Sequence, residues 1–213
     1  MIEIYGTERF NGLDSKKRSA VLAAATTEFA RFGYLAASTN RISAAAGVSK
    51  GALFSYFSTK EALFTGVVRS QFELIEKEAP HLFADVDAGS LGSRLTTLAI
   101  RHWELHQRSP SLFILGWVVR DAARHIPEAR GLLARYAMIS ADQIQTLVHD
   151  ARIAGELSAT ASDETVAFML ESSLQRLRDQ LWESSVAGQE LTLEQFASLA
   201  ESLCAMATRG VGR

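Results

Sequence analysis

Apolar residues recur three and four positions apart along most of the chain, the period at which one face of an α-helix is covered. Val21, Leu22, Ala25, Phe29 and Phe32 form the first long stripe; Asp14 or Ser15 can cap its start, and Gly33 ends it. Shorter stripes follow at Ile42, Ala45 and Ala46 and at Leu53 and Phe57. Phe64, Val67, Val68, Phe72 and Ile75 then mark a long helix that Pro80 is expected to stop a few residues later. Another is marked by Leu95, Leu98, Ala99, His102 and His106. Residues 112–119 are apolar almost all round, as in a helix that is buried or lines a cavity. Pro127 suits a first helical turn, and Leu132, Leu133, Tyr136, Ile139, Ile144, Leu147 and Val148 carry that helix towards Gly155. Two wide stripes close the chain: Val166, Phe168, Met169, Leu170, Leu174, Leu177 and Leu181, then Phe196, Leu199, Leu203 and Met206. No strand-like alternation interrupts them, so the pattern predicts an all-α chain of about nine helices.

The densest punctuation lies between Ser38 and Phe64. Ser38 caps one short helix, Gly47 ends it, Val48 packs the corner and Ser49 caps a second, in which Leu53 and Phe57 face inward. Ser58 and Glu61 stand at capping-box spacing and are expected to open a third helix. Two short helices joined by a glycine turn, with small Gly51 and Ala52 at the front of the second, form a helix-turn-helix whose backbone can approach a DNA groove.

Ile42-Ser43 with Ala46-Gly47-Val48-Ser49, Gly51, the pair Tyr56-Phe57 and Lys60-Glu61-Ala62-Leu63 resemble the DNA-binding head of the TetR family of bacterial one-component transcription regulators. The resemblance covers residues 16–68, about a quarter of the chain. It departs at Phe54, where the family usually has a tyrosine that can reach a phosphate, and at Ser43, where alanine is usual. The organisation expected is an arm over residues 1–13, a helix-turn-helix domain over 14–60 and a helical ligand-binding and dimerisation domain over 61–213. The resemblance implies a homodimer formed through the last two helices, a palindromic double-stranded DNA operator and release by a small-molecule effector, the behaviour of a repressor. Dimerisation also has its own motive, because one short recognition helix reads only a few base pairs. The reading weighed against this is a helical sensor or interaction module that no longer regulates genes, for which Phe54 speaks.

Lys50, Ser55 and Tyr56 are the candidates for contact from the recognition helix, with Asn40 and Arg41 approaching from the preceding one. Ser38, Thr39, Tyr56 and Lys60 have the chemistry of phosphate contact, and Ser49, Gly51 and Ala52 form the front that would meet the groove. Lys16, Lys17 and Arg18 add sequence-independent attraction.

Charge sharpens this picture only when divided. Residues 1–70 hold nine Lys or Arg against five acids, a balance of +4, while the remainder carries thirteen against nineteen, a balance of −6. A basic head on an acidic body suits nucleic-acid binding by the head. No signal-peptide pattern opens the chain, no run of about 18 apolar residues exists and Cys204 is the single cysteine, so a cytoplasmic protein is expected. Within the second domain the resemblance implies an effector pocket, for which His102, Trp103, His106, Phe113, Trp117 and His125 are candidates. His102 and His106 lack the further ligands of a metal site, and no nucleophile motif, phosphate loop or catalytic carboxylate pair is present, so neither a metal, a cofactor nor an enzymatic activity is expected.

Overall fold

The structure, a computed structural model, describes residues 5–84, 86, 89–109, 116, 118–157, 161–186, 188–189 and 191–209. Among these residues the chain is all-α and contains no strand. The helices are α1 (Glu8–Asn11), α2 (Ser15–Ala36), α3 (Thr39–Ala45), α4 (Lys50–Tyr56), α5 (Lys60–Phe83), α6 (Leu91–Arg108), α7 (Pro127–Ile153), α8 (Asp163–Val186) and α9 (Leu193–Arg209); residues 118–122 are also helical. The chain divides into two compact units, Met1–Glu76 with Ser111–Tyr136 and Lys77–Pro110 with Ala137–Arg213.

In the first unit the caps fall where short polar side chains can serve the free N–H groups of a first turn. Asp14 accepts from the Lys17 N–H at 3.0 Å, Ser38 from Arg41 and Ser49 from Ala52. Gly33 and Gly47 take φ of +70° and +67°, the left-handed turn that breaks α2 and closes α3. The core is aromatic: Phe64 meets Phe29 edge-on at 5.0 Å and Tyr34 at 5.2 Å, while Phe10 lies 4.6 Å from Phe57.

The arm expected over residues 1–13 is, from Tyr5 onward, part of this core; residues 1–4 lie outside the described residues. Thr7 donates its N–H to Tyr56 O at 2.9 Å and its hydroxyl to Ser55 O at 2.9 Å, and Phe10 is fully buried. Gly66 allows the approach, since a Cβ there would stand 2.3 Å from Tyr5 O and 2.9 Å from the Phe57 ring. Periodicity could not reveal this segment, because one four-residue helix is too short to display a period.

Pro80 does not end α5, which runs on to Phe83. Pro80 forgoes the hydrogen bond that an N–H would give to the carbonyl four residues back, and the turn that continues past it buries Leu82.

The second unit is aliphatic. α6 packs on α9 and α8, burying Leu91, Leu95 and Leu98 with Ile144, Val148, Leu170, Leu174, Leu177, Ala200 and Cys204. Burial raises the Cys204 thiol pKa, consistent with an inert core residue. Glu156 ties the start of α6 down, accepting from the Leu91 N–H at 2.6 Å and from Arg94 at 3.0 Å. Phe168, Leu199 and Met206, which the sequence places on the apolar stripes of α8 and α9, are exposed to 73, 39 and 65 %. No helix among the described residues is long and apolar enough to cross a membrane.

Candidate nucleic-acid interface

α3 and α4 meet at the Gly47 turn, where the Val48 N–H donates to Ser43 O at 3.0 Å. Ile42 and Leu53 are buried in the core of the first unit, and α3 packs directly on α4. The outward face of α4 carries Lys50, Gly51 and Phe54, all exposed, behind the exposed cap Ser49. Phe54 stands four positions from Lys50 and three from Gly51, which puts it beside both on one side of the helix. Nothing lies within 4 Å of a Cβ built on Gly51, so the front of the helix is open. Ala52 and Ser55 border it half-buried, with the Ser55 hydroxyl donated to Ala52 O at 2.7 Å.

Tyr56 is not on that face. It is 8 % exposed and packs its ring 6.0 Å from Phe10, so the reading that turned it outward is corrected by the burial of α1 beneath it. The capping box is corrected as well. Thr59 caps α5, accepting from the Ala62 N–H at 3.0 Å through its side chain and from Leu63 through its carbonyl, and Ser58 stays outside the helix.

The polar residues of α3 divide into two groups. Asn40 is exposed and Thr39 half-buried at the first turn. Arg41 is already engaged: its Nε donates to Glu28 at 2.9 and 3.1 Å, its Nη2 to Ala36 O at 3.2 Å, and its guanidinium lies 4.4 Å from the Phe32 ring centre. Glu28 is nearly buried and also accepts from the Ser38 N–H at 2.7 Å. Burial alone would raise its pKa; the hydrogen bond from Arg41, that of Ser38 and the arginine charges outweigh it and hold the carboxyl below its ordinary range. Glu28 therefore fixes the start of α3. No local pattern signals it, since its partner lies thirteen residues away on another helix. Lys60 donates to Leu35 O at 3.0 Å and stands 5.1 Å from the Tyr34 ring, its pKa lowered by burial. It braces the end of α2 while remaining partly exposed.

Beside α4 the first unit has a cleft of about 420 Å³ bordered by Thr7, Tyr56, Ser58, Thr59, Glu61 and Glu128. A hydrogen bond to Glu128 raises the Glu61 pKa, as expected where two carboxyls share a proton. None of the residues expected to line an effector pocket borders this cleft. Of those six, Phe113 and Trp117 lie outside the described residues, and His125 is exposed in the first unit, which removes it from any enclosed lining there. His102, Trp103 and His106 belong to the second unit, the first two half-buried and the third buried. His102 Nδ1 donates to Leu98 O at 2.7 Å. Its pKa is pushed down to about 4, by burial first and by the charge of Arg178 second. Among the described residues no cluster of three or more His, Cys, Asp or Glu is placed to hold a metal ion.

Residues 21–67 match the family model described as bacterial regulatory proteins, tetR family. The HTH-type transcriptional regulator RutR of Escherichia coli K12 is 40 % identical over 60 residues, 28 % of each chain. The chain thus matches little more than a quarter of the length of these curated relatives. Among solved structures, a TetR family transcriptional regulator from Chloroflexus aurantiacus J-10-FL is similar over 98 % of this chain and 99 % of its own, with a TM-score of 0.75 at 20 % identity. The transcriptional regulator FadR from Bacillus subtilis, in complex with stearoyl-CoA, is similar over 90 % and 97 %, with a TM-score of 0.69 at 16 % identity. These two likenesses establish the fold.

Proposed function

We propose, from the match of residues 21–67 to the tetR family of bacterial regulatory proteins, that the chain is a ligand-responsive transcriptional regulator, a repressor that occupies a palindromic operator as a homodimer. The observation that carries this reading is the open front of α4, with Lys50, Gly51 and Phe54 exposed on one face and the small-residue turn at Ser49 leading it. Such a front suits insertion into a major groove, where Lys50 can donate to guanine and Phe54 can touch a thymine methyl. In this reading Ser38, Thr39, Asn40 and Ser49 meet phosphates, and Arg41 and Lys60 hold the frame that presents them. Phe168, Leu199 and Met206, left exposed on the last two helices, supply the apolar surface of the dimer. A small-molecule effector in the second unit favours the form in which the two recognition helices are wrongly spaced, and the operator is released.

The test is selection of genomic fragments by the purified protein, followed by titration of the recovered site. Binding should weaken steeply with salt, as the release of phosphate counterions requires. Lys50→Ala should lower operator affinity roughly ten-fold to a hundred-fold, and Leu199→Glu with Met206→Glu should give a folded monomer that binds the palindrome poorly. Failure to recover any common sequence, or binding indifferent to salt, would leave an interaction module in place of a regulator.

A further inference from the structure

Buried arginines are ordinarily answered by an acid, because an unpaired charge away from water is costly. The second unit observes this rule at Arg94, which is 5 % exposed and meets Glu156 at 3.0 Å. It does not observe it at Arg178 on α8. That side chain is 8 % exposed, and its hydrogen bonds, from Nε at 3.2 Å and Nη2 at 2.8 Å, both go to the neutral amide oxygen of Gln175. Asp179 is reached only through the same amide, whose Nε2 donates to it at 2.8 Å. Among the described residues no carboxylate stands within ion-pair distance of Arg178.

The described residues around it do not supply the missing charge. α6 packs against α8, and His102 on α6 is close enough to feel the Arg178 charge and is held neutral. Leu174 and Leu181, four before and three after Arg178 on α8, are buried. The place therefore combines one uncompensated guanidinium, a neutral imidazole and an aliphatic wall. A single cation beside a neutral imidazole balances one negative charge, and the planar guanidinium fork fits a planar carboxylate in two parallel hydrogen bonds.

We propose that the second unit binds its effector by a carboxylate group paired with Arg178 beside His102, with the apolar body of the acid lying against the aliphatic core. The inference rests on the effector-responsive reading above and adds the chemical class of the effector, a singly charged organic acid.

The full-length protein is titrated with benzoate and octanoate, and with benzamide and octanamide as uncharged matches, by calorimetry and by thermal shift. At least one acid raises the melting temperature of the wild type while its amide does not, and Arg178→Gln weakens the binding of that acid at least thirty-fold. Ligand-free Arg178→Met, which keeps the volume and drops the charge, melts at or above the wild-type temperature, because an unanswered buried cation has been removed. Acids that bind Arg178→Gln as well as wild type, amides that bind as well as acids, neither acid binding at all, or an Arg178→Met variant that melts well below wild type would each overturn the proposal. A final arm adds the recovered operator. An acid that binds through Arg178 without releasing DNA leaves the anion site standing and removes the effector reading; release by an uncharged compound that Arg178→Gln does not impair removes the anion site and leaves the regulator.

Discussion

The two units are held together by different materials. Rings dominate the first: Phe10, Phe29, Phe57 and Phe64 are buried to 1 % exposure or less and meet one another and Tyr34 and Tyr56 at tilted and edge-on angles, with Phe29 stacked on Tyr34. The second has Phe196 among branched aliphatic chains and alanines. Aromatic pairs have preferred geometries and few rotamers, so a core built from them tolerates one arrangement of the helices around it. Aliphatic side chains repack with smaller penalties. On the proposed reading, a unit that presents α4 to a rigid double helix would gain from the first kind of core, and a unit that admits a small effector would gain from the second. The apolar groups left outside differ in the same sense. In the first unit Phe32, Leu35 and Phe54 stand beside basic side chains or on the open face of α4, whereas the second exposes Phe168, Leu199 and Met206 along its two closing helices.

The contrast is sharpest at Phe64. Phe64→Ala removes the ring that joins Phe29 to Tyr34, and the expected loss is about 3–5 kcal/mol in urea unfolding, with operator affinity lost as the head loosens. Leu174→Ala in the second unit should fall towards the lower end of about 2–5 kcal/mol and leave DNA binding by the surviving folded fraction unchanged. Equal costs, or a Phe64→Ala protein that still binds operator with wild-type affinity, would erase the distinction between the two cores.

Acid should separate the units next. His102 has a folded pKa of about 4 against an ordinary 6.5, so the unfolded chain takes up its proton first. Its contribution to stability is complete above pH 6.5 and declines as pH falls from 6.5 towards 4. Its ring is only partly covered, so the whole decline amounts to at most about 3 kcal/mol. The Glu28 carboxyl of the first unit is depressed below 4.5; what it contributes is complete above that value and is lost only on further acidification. Between pH 6.5 and 4.5 amide protection factors, corrected for the slower intrinsic exchange in acid, should therefore fall in α6 and α8 while those of α2 and α3 hold, and His102→Asn should flatten the response. Protection lost first in α2 would reverse the order.

How far the sequence revealed these features follows from the range of the interactions that make them. Asp14, Ser38 and Ser49 cap their helices as their chemistry predicts, and Gly33 and Gly47 turn left-handed, because each effect acts within four residues. Ser58 and Thr59 compete at that same range, and the chain chose Thr59, a distinction of one residue that capping preferences do not resolve. The remaining surprises are long-range. Tyr56 turns inward because Phe10, forty-six positions earlier, waits there, and Arg41 is withdrawn into the frame because Glu28 meets it across two helices. The open face of α4 was legible as a stripe of residues that were not apolar at the right period; Phe54 was the exception, apolar and yet outside. Arg178 gave no sign of its burial, because an arginine inside a mixed helix reads as a surface residue until the packing of α6 on α8 is known.

The finest distinction between the units rests on two glycines. Gly51 and Gly92 are each the second residue of a helix, α4 and α6. A Cβ on Gly51 would meet nothing within 4 Å, and one on Gly92 would make ordinary contact at 3.4 Å with the Thr208 hydroxyl of α9. Alanine at either position removes backbone freedom from the unfolded chain without a clash, so both Gly51→Ala and Gly92→Ala should stabilise the protein by up to about 0.5–1 kcal/mol. Their effects on DNA should part company. If the α4 front enters a groove, the added methyl at Gly51 holds the backbone away from the bases, and the variant should combine higher thermal stability with weaker operator binding, while Gly92→Ala gains stability alone. Equal operator affinity for the two variants would mean that the space in front of Gly51 stays empty in the complex, and another surface of the first unit would have to be the one that faces DNA.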